Sequence, residues 1–236
     1  MLEALGWGAL AASSLVVGAV LALVRSWSAT AVGLVLGFGA GALIASVSFE
    51  LAEEGLRIGS GYAVAGGLAL GGLTYFVADR LVEWWGGRRG GSSAGAPLAV
   101  GAFLDGIPEQ AVLGIGIASG EGVSSALLVA IFASNLPEAI GSAADMRSAG
   151  RSRRAVVVLW TAVAVCCALA TVGGTALADT VTNDAQAFVD GFAAGALLTM
   201  LIDSMVPEAK EKARDWAGLA TVAGFALAAG LSLLGG

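Results

Sequence analysis

The feature that most restricts this chain is a series of apolar stretches, each about 20 residues long, the length an α-helix needs to cross the hydrocarbon of a bilayer. Hydropathy places them at roughly 4–24, 30–52, 61–83, 96–118, 123–144, 155–178, 185–206 and 216–234. A soluble core of 236 residues has no need of such runs. With 57% hydrophobic residues, 13% charged residues and a mean hydropathy of +0.86, the composition is that of a polytopic membrane protein. The expected fold is all-α, with eight transmembrane helices.

Orientation follows from the basic residues. Loops after the odd-numbered runs hold Arg25; Arg80, Arg88 and Arg89; Arg147, Arg151, Arg153 and Arg154; and Lys210, Lys212 and Arg214. Arg57 is the one basic residue on the opposite side. The positive-inside rule puts those loops in the cytoplasm and both termini outside. Met1-Leu-Glu-Ala lacks a basic leader, so the first run is read as a retained helix rather than a cleaved signal peptide. Arginine far outnumbers lysine in an Ala/Gly-rich chain, a composition expected of a prokaryotic inner-membrane protein with no nucleic-acid partner.

The sequence also repeats itself. Gly37-Phe-Gly-Ala-Gly-Ala-Leu43 matches Gly191-Phe-Ala-Ala-Gly-Ala-Leu197 at six of seven positions, and Glu54 then falls opposite Glu208. These lie in the second and seventh runs, which cross in opposite senses. Inverted repeats of this kind are a signature of secondary transporters, whose site lies near the midplane between the repeats. The expected division is a first repeat at about 1–85, a flexible cytoplasmic loop at 86–95, a central helix pair at 96–145 and a second repeat at about 153–236. Glycines at four-residue spacing, such as Gly37/Gly41, Gly67/Gly71 and Gly191/Gly195, are assigned to close helix packing.

Polar side chains concentrate in the central pair. Phe103-Leu-Asp-Gly-Ile-Pro-Glu-Gln110 and Phe132-Ala-Ser-Asn-Leu-Pro-Glu-Ala139 each place a proline before a glutamate inside an apolar run. Asp105 and Glu109 are four apart, as are Ser134 and Glu138, so each pair shares a helical face, with Asn135 beside the second. Pro108 and Pro137 cannot donate to the carbonyls of Leu104 and Ala133, which frees a backbone oxygen one turn upstream of each. Carboxylates, an amide and spare carbonyls facing one another in lipid describe a cation site. Protonated carboxyls hydrogen-bonded within the bundle are the structural alternative.

Several chemistries are excluded. There is no histidine, which removes His-ligated zinc, histidine proton relays and rhomboid-type proteolysis. Cys166 and Cys167 are adjacent and poorly placed to bond each other. They read as small buried apolar residues, with a thiolate ligand as the alternative. No Gly-x-x-x-x-Gly-Lys loop is present, so transport would draw on ion gradients or potential, and no enzyme activity is expected.

With eight runs, outside termini and two central Pro-Glu helices, the chain resembles the ZIP (ZRT/IRT-like) family of divalent metal transporters. The family's fourth-span motif, His-Asn-x-Pro-Glu-Gly, corresponds to Asp105-Gly106-Ile107-Pro108-Glu109-Gln110. A similar fifth-span motif corresponds to Ser134-Asn135-Leu136-Pro137-Glu138-Ala139, and the seventh span ends in Asp203-Ser204-Met205-Val206-Pro207-Glu208. The resemblance implies a divalent metal as substrate, a homodimer, and one group of helices that slides or rocks against the rest. The family histidine is replaced by Asp105 and the next ligand by Gly106, and the sixth span offers Thr171 and Thr175 where many relatives carry a glutamate. One metal position survives, built from Asp105, Glu109, Asn135 and Glu138, with Ser134 beside it. Glu50, Asp203, Ser204 and Glu208 would mark the mouth and exit of the path, or merely solvated helix ends.

Replacing imidazole by carboxylate favours manganese or ferrous iron, although the Irving–Williams order still favours zinc over manganese at a given site, and zinc and cadmium stay among the candidate substrates. Metal and protons compete for the same oxygens, so binding should depend on pH. A ZIP-like protein that senses metal or holds it structurally, without transporting it, is the alternative function.

Overall fold

The computed structural model describes the backbone except at residues 26, 89–95, 119–122, 124, 179–181 and 236. The side chains of 82–83, 85–88, 96–105, 126, 130, 134, 137, 145, 148 and 234–235 also lie outside the description. Among the described residues every regular element is helical. The elements are α1 (Leu2–Val24), α2 (Ala29–Ser46), α3 (Glu53–Ile58), α4 (Gly61–Arg88), α5 (Ala96–Ala118), α6 (Ser125–Ser148), α7 (Arg153–Ala178), α8 (Asn183–Met200), α9 (Val206–Ala213) and α10 (Trp216–Gly235). A π-helical turn, Val47–Ala52, joins α2 to α3 without a break, and a second, Leu201–Met205, joins α8 to α9.

Seven stretches among the described residues are long and apolar enough to cross a membrane: Leu2–Val24, Ala29–Ile58, Gly61–Leu81, Leu127–Ala144, Arg153–Ala178, Asn183–Ala213 and Trp216–Leu233. The exposed surface agrees with this. Leu70, Leu73 and Val77 on α4, Val158, Val165 and Leu169 on α7, and Leu219, Val222 and Leu227 on α10 all face outward. Glu109, Gln110, Asn135, Ser142, Thr171 and Asp190 are buried. Such wide apolar exposure around a partly polar interior suits lipid and would be an aggregation hazard in water.

The second and seventh helical rods run on to Ile58 and Ala213, beyond the ends expected from hydropathy. Acids at Glu50, Glu53, Glu54, Asp203 and Glu208 end the apolar signal, but glutamate and lysine are good helix formers and the helices continue through them. Part of the expected loop at 86–95 is also helical, since α4 extends to Arg88; the remainder lies outside the described residues. Cys167 is buried as expected, whereas Cys166 is exposed, because successive residues of a helix point about 100° apart.

Glycines set the closest contacts. A Cβ built at Gly191 would sit 2.4 Å from the carbonyl oxygen of Val64, and one at Gly195 2.1 Å from that of Leu68, so α8 lies directly on α4. In the same way a Cβ at Gly37 would sit 2.8 Å from the carbonyl oxygen of Ala217, and one at Gly41 1.8 Å from that of Thr221, so α2 lies on α10. These contacts of one pair match those of the other, and so do the approaches of Gly71 to the Phe192 carbonyl and of Gly224 to the Phe38 carbonyl, each of which an added Cβ would overlap. The same correspondence extends outward from these pairs. Ser28 caps α2 by accepting from the Ala31 N–H at 3.1 Å, and Thr182 caps α8 by accepting from the Ala185 N–H at 3.3 Å.

The remaining helices form a second group. One core gathers Leu15 and Ala19 of α1, Ala139 and Met146 of α6, and Val156, Trp160 and Cys167 of α7. α5 lies along α7 in parallel register: Gly114 abuts the carbonyl of Thr171, and Gly174 that of Ala111. A larger core joins this group to α2, α8 and α10 through Val112, Leu113, Ile131 and Ile140.

The packing makes a direct prediction. Gly195→Val should lower stability in detergent by about 1–3 kcal/mol or prevent folding, because the intruding atoms meet backbone that cannot yield. Gly173→Val, at a position with nothing within 4 Å, should leave the thermal midpoint nearly unchanged.

Candidate metal centre

The two Pro-Glu segments lie on facing helices. α5 is continuous through Pro108, and α6 is continuous across position 137. A proline inside a helix removes one N–H from the ladder, so the carbonyls of Leu104 and Ala133 lose their usual donors. The helix continues on either side because its neighbours hold it.

Glu109 is 0% exposed, and among the described residues neither of its carboxylate oxygens has a hydrogen-bond partner. It interacts electrostatically with another carboxylate, Glu138 of α6, which is half-buried. Two acids thus converge from facing helices, one of them stripped of both water and donors. Asn135, three residues before Glu138 on α6, is 1% exposed, and its Nδ2 lacks a partner. Even on insertion scales a carboxylate at the centre of a membrane helix costs about 3 kcal/mol. A cation between the acids would offset that cost; protonation is the alternative.

Glu109 of α5 and Glu138 of α6 therefore interact across the two helices, and Asn135 lies one turn before Glu138 on α6. Asp105 and Ser134 are helical, one turn before the two glutamates, and their side chains lie outside the described set. Among the described residues no three Asp, Glu or Cys side chains gather as a metal cluster.

The residues expected along a path fall at both ends of the rods. Glu50, within the first π-helical turn, accepts a hydrogen bond from the Ser232 hydroxyl of α10 at 2.7 Å. Asp203 and Ser204 occupy the second π-helical turn, with Asp203 exposed and Ser204 half-buried. Such turns insert a residue into the helix and re-aim its side chains, and they occur often at functional positions. Glu208 on α9 pairs with Lys212, and both lie 4.0 Å from a Cβ built at Gly141. Gly141 is three residues past Glu138 on α6, which puts Glu208 about one turn from the centre. Glu54 instead pairs with Arg57 at 2.6 Å, an exposed contact of little energetic weight.

Two groups escaped the sequence reading. Gln110 is 0% exposed and its Oε1 accepts a hydrogen bond from the Thr171 hydroxyl at 2.6 Å. Asp190, 3% exposed, is buried in α8 where α3 packs on it through Gly55. The available signal was the same for both, a polar side chain inside an apolar run.

No protein-family profile matches the chain. Over 190 residues it is 30% identical to a protein of Arabidopsis thaliana named "Putative zinc transporter", an overlap of 77% of this chain and 30% of the plant protein. The chain thus spans less than a third of that relative's length.

A buried carboxylate at Glu109 that interacts with the carboxylate of Glu138 should bind a divalent ion through its charge. Glu109→Gln should weaken equilibrium cadmium or manganese binding by at least about tenfold. The metal-free variant should be as stable as the parent or more so, because a buried charge has been removed. Calorimetric titration and thermal unfolding of the purified proteins check both halves.

Proposed function

We propose that the chain is a ZIP-like secondary transporter or facilitator that moves divalent metal ions towards the cytoplasm through the carboxylate site between α5 and α6. The observation that carries this reading is the buried, unpartnered carboxylate of Glu109 facing Glu138 within an apolar bundle. Similarity to a plant protein named as a zinc transporter supports metal as the substrate. The oxygen donors at the site suit manganese and ferrous iron as well as zinc and cadmium.

The architecture in this reading is eight spans, with Ala96–Ala118 the eighth beside the seven apolar stretches, arranged as an inverted repeat of three helices on each side of the central pair. The matched glycine contacts of α8 on α4 and α2 on α10 support the repeat, as do the paired caps and paired π-helical turns. The backbone N–H of Ser60 donates to Asp184 at 2.7 Å, which sets the loop after α3 and the start of α8 at the same end of the bundle. The basic loops then lie in the cytoplasm and both termini outside, in a multi-pass protein of a prokaryotic cell membrane that works as a homodimer and carries out no enzymatic step. The helices pack as two groups: α1, α5, α6 and α7, which carry the site, and the rods that pack through glycine pairs. Movement of the first group against the second would expose the ion to each side in turn.

Reconstitution into proteoliposomes tests this. Saturable uptake of manganese, iron, zinc or cadmium that Glu138→Ala abolishes is the expected result. Uptake should slow as external pH falls from about 7.5 to 5.5, because protons occupy the oxygens that the metal needs. Metal binding without flux of any ion would instead identify a sensor or a structural metal site, and rates independent of pH would exclude carboxylate ligands.

A further inference from the structure

We propose that Gln110 is an additional ligand of the transported ion, held by Thr171, and that it biases the site towards manganese-like ions over zinc. This rests on the transporter reading and names a residue and a substrate preference for the same site.

Gln110 follows Glu109 on α5, and both are 0% exposed. One end of its amide is fixed, since Oε1 accepts from Thr171 Oγ1 at 2.6 Å. The other end, Nε2, is buried with no partner among the described residues. Thr171 is itself 0% exposed and closed off from behind by α1, where a Cβ at Gly8 would lie 2.6 Å from its hydroxyl oxygen. A buried amide end without a partner costs about 1–3 kcal/mol, and packing alone gives no reason for glutamine here. Leucine would fill the space without that cost.

The pair has a second arrangement that removes the cost when a cation is present. A hydroxyl both donates and accepts, so Thr171 Oγ1 can receive a hydrogen from Nε2 and turn its own hydrogen to the carbonyl of Cys167, one turn back. Three other threonines of this bundle make that backbone contact: Thr175 to Thr171 at 3.0 Å, Thr199 to Gly195 at 2.9 Å and Thr221 to Ala217 at 3.0 Å. With the amide turned over, Oε1 takes the buried, unpartnered position that Nε2 now holds, on the residue that follows Glu109. A neutral oxygen placed there raises the number of ligands without adding charge. Zinc prefers four ligands, whereas manganese and magnesium take six oxygens, so each added oxygen moves the preference away from zinc.

The full-length protein in nanodiscs would be titrated with manganese and with zinc, using Gln110→Leu, Gln110→Glu, Thr171→Val and a Glu109→Gln control. Gln110→Leu should weaken manganese binding about tenfold and zinc binding much less, Gln110→Glu should restore manganese binding, and Thr171→Val should fall between. The chain has two glutamines, Gln110 and Gln186. Side-chain 15N labelling of glutamine therefore gives two amide signals, and saturation with diamagnetic cadmium should move that of Gln110 and leave that of Gln186. An unchanged manganese-to-zinc ratio in Gln110→Leu, or a Gln110 signal that stays in place, would overturn the proposal. If Gln110→Leu fails to fold, the labelled parent and Thr171→Val decide the question. Metal binding that Glu109→Gln abolishes and Gln110→Leu leaves intact removes Gln110 alone. No binding by the parent removes the transporter reading and this proposal with it.

Discussion

The account depends on one buried charge. Glu109 carries a carboxylate with no exposed surface and no hydrogen-bond donor among the described residues, in a bundle whose outer face is apolar. A stability-driven sequence would place leucine at that position and gain by it. In the transporter reading proposed above, an ion compensates that cost for part of a working cycle. Glu138 and Asn135 lie on α6, Thr171 of α7 donates to Gln110 beside Glu109 in sequence, and α1 closes on Thr171 at Gly8.

The bundle around the site is built for close approach. At Gly41, Gly71, Gly195 and Gly224 an added Cβ would fall about 2 Å from a backbone oxygen of the neighbouring helix, a distance that no side chain tolerates. Without a hydrophobic driving force between helices in lipid, such contacts supply dispersion and Cα–H···O attraction instead. They lock α2 to α10 and α4 to α8, and a shared core ties these pairs to α5 and α6. The π-helical turns lie where each long rod passes the level of its acidic residues, so the backbone departs from regularity where polar side chains must be aimed.

Much of this was legible in the sequence for plain physical reasons. Twenty-residue apolar runs leave little choice but helix, and the Gly-x-x-x-Gly spacing marked the faces that touch. The Pro-Glu pairs drew attention to Glu109 and Glu138 as acids inside apolar runs, and the structure shows Glu109 buried and Glu138 half-buried. The π-helical turns were not legible, since an inserted residue leaves no mark on hydropathy. The partner of Glu50 was also hidden, because Ser232 lies on another helix far along the chain. Gln110 was passed over as an ordinary neighbour of the glutamate. Its importance comes from the facing threonine, and pairing between α5 and α7 is tertiary information that spacing along one helix does not carry.

The most direct test of the central claim is to locate the ion. Anomalous diffraction from cadmium-loaded crystals should give a peak between the side chains of Glu109 and Glu138, and the Glu109→Gln protein should lose it. A peak elsewhere in the bundle that survives the substitution, or none at saturating cadmium, would contradict the account.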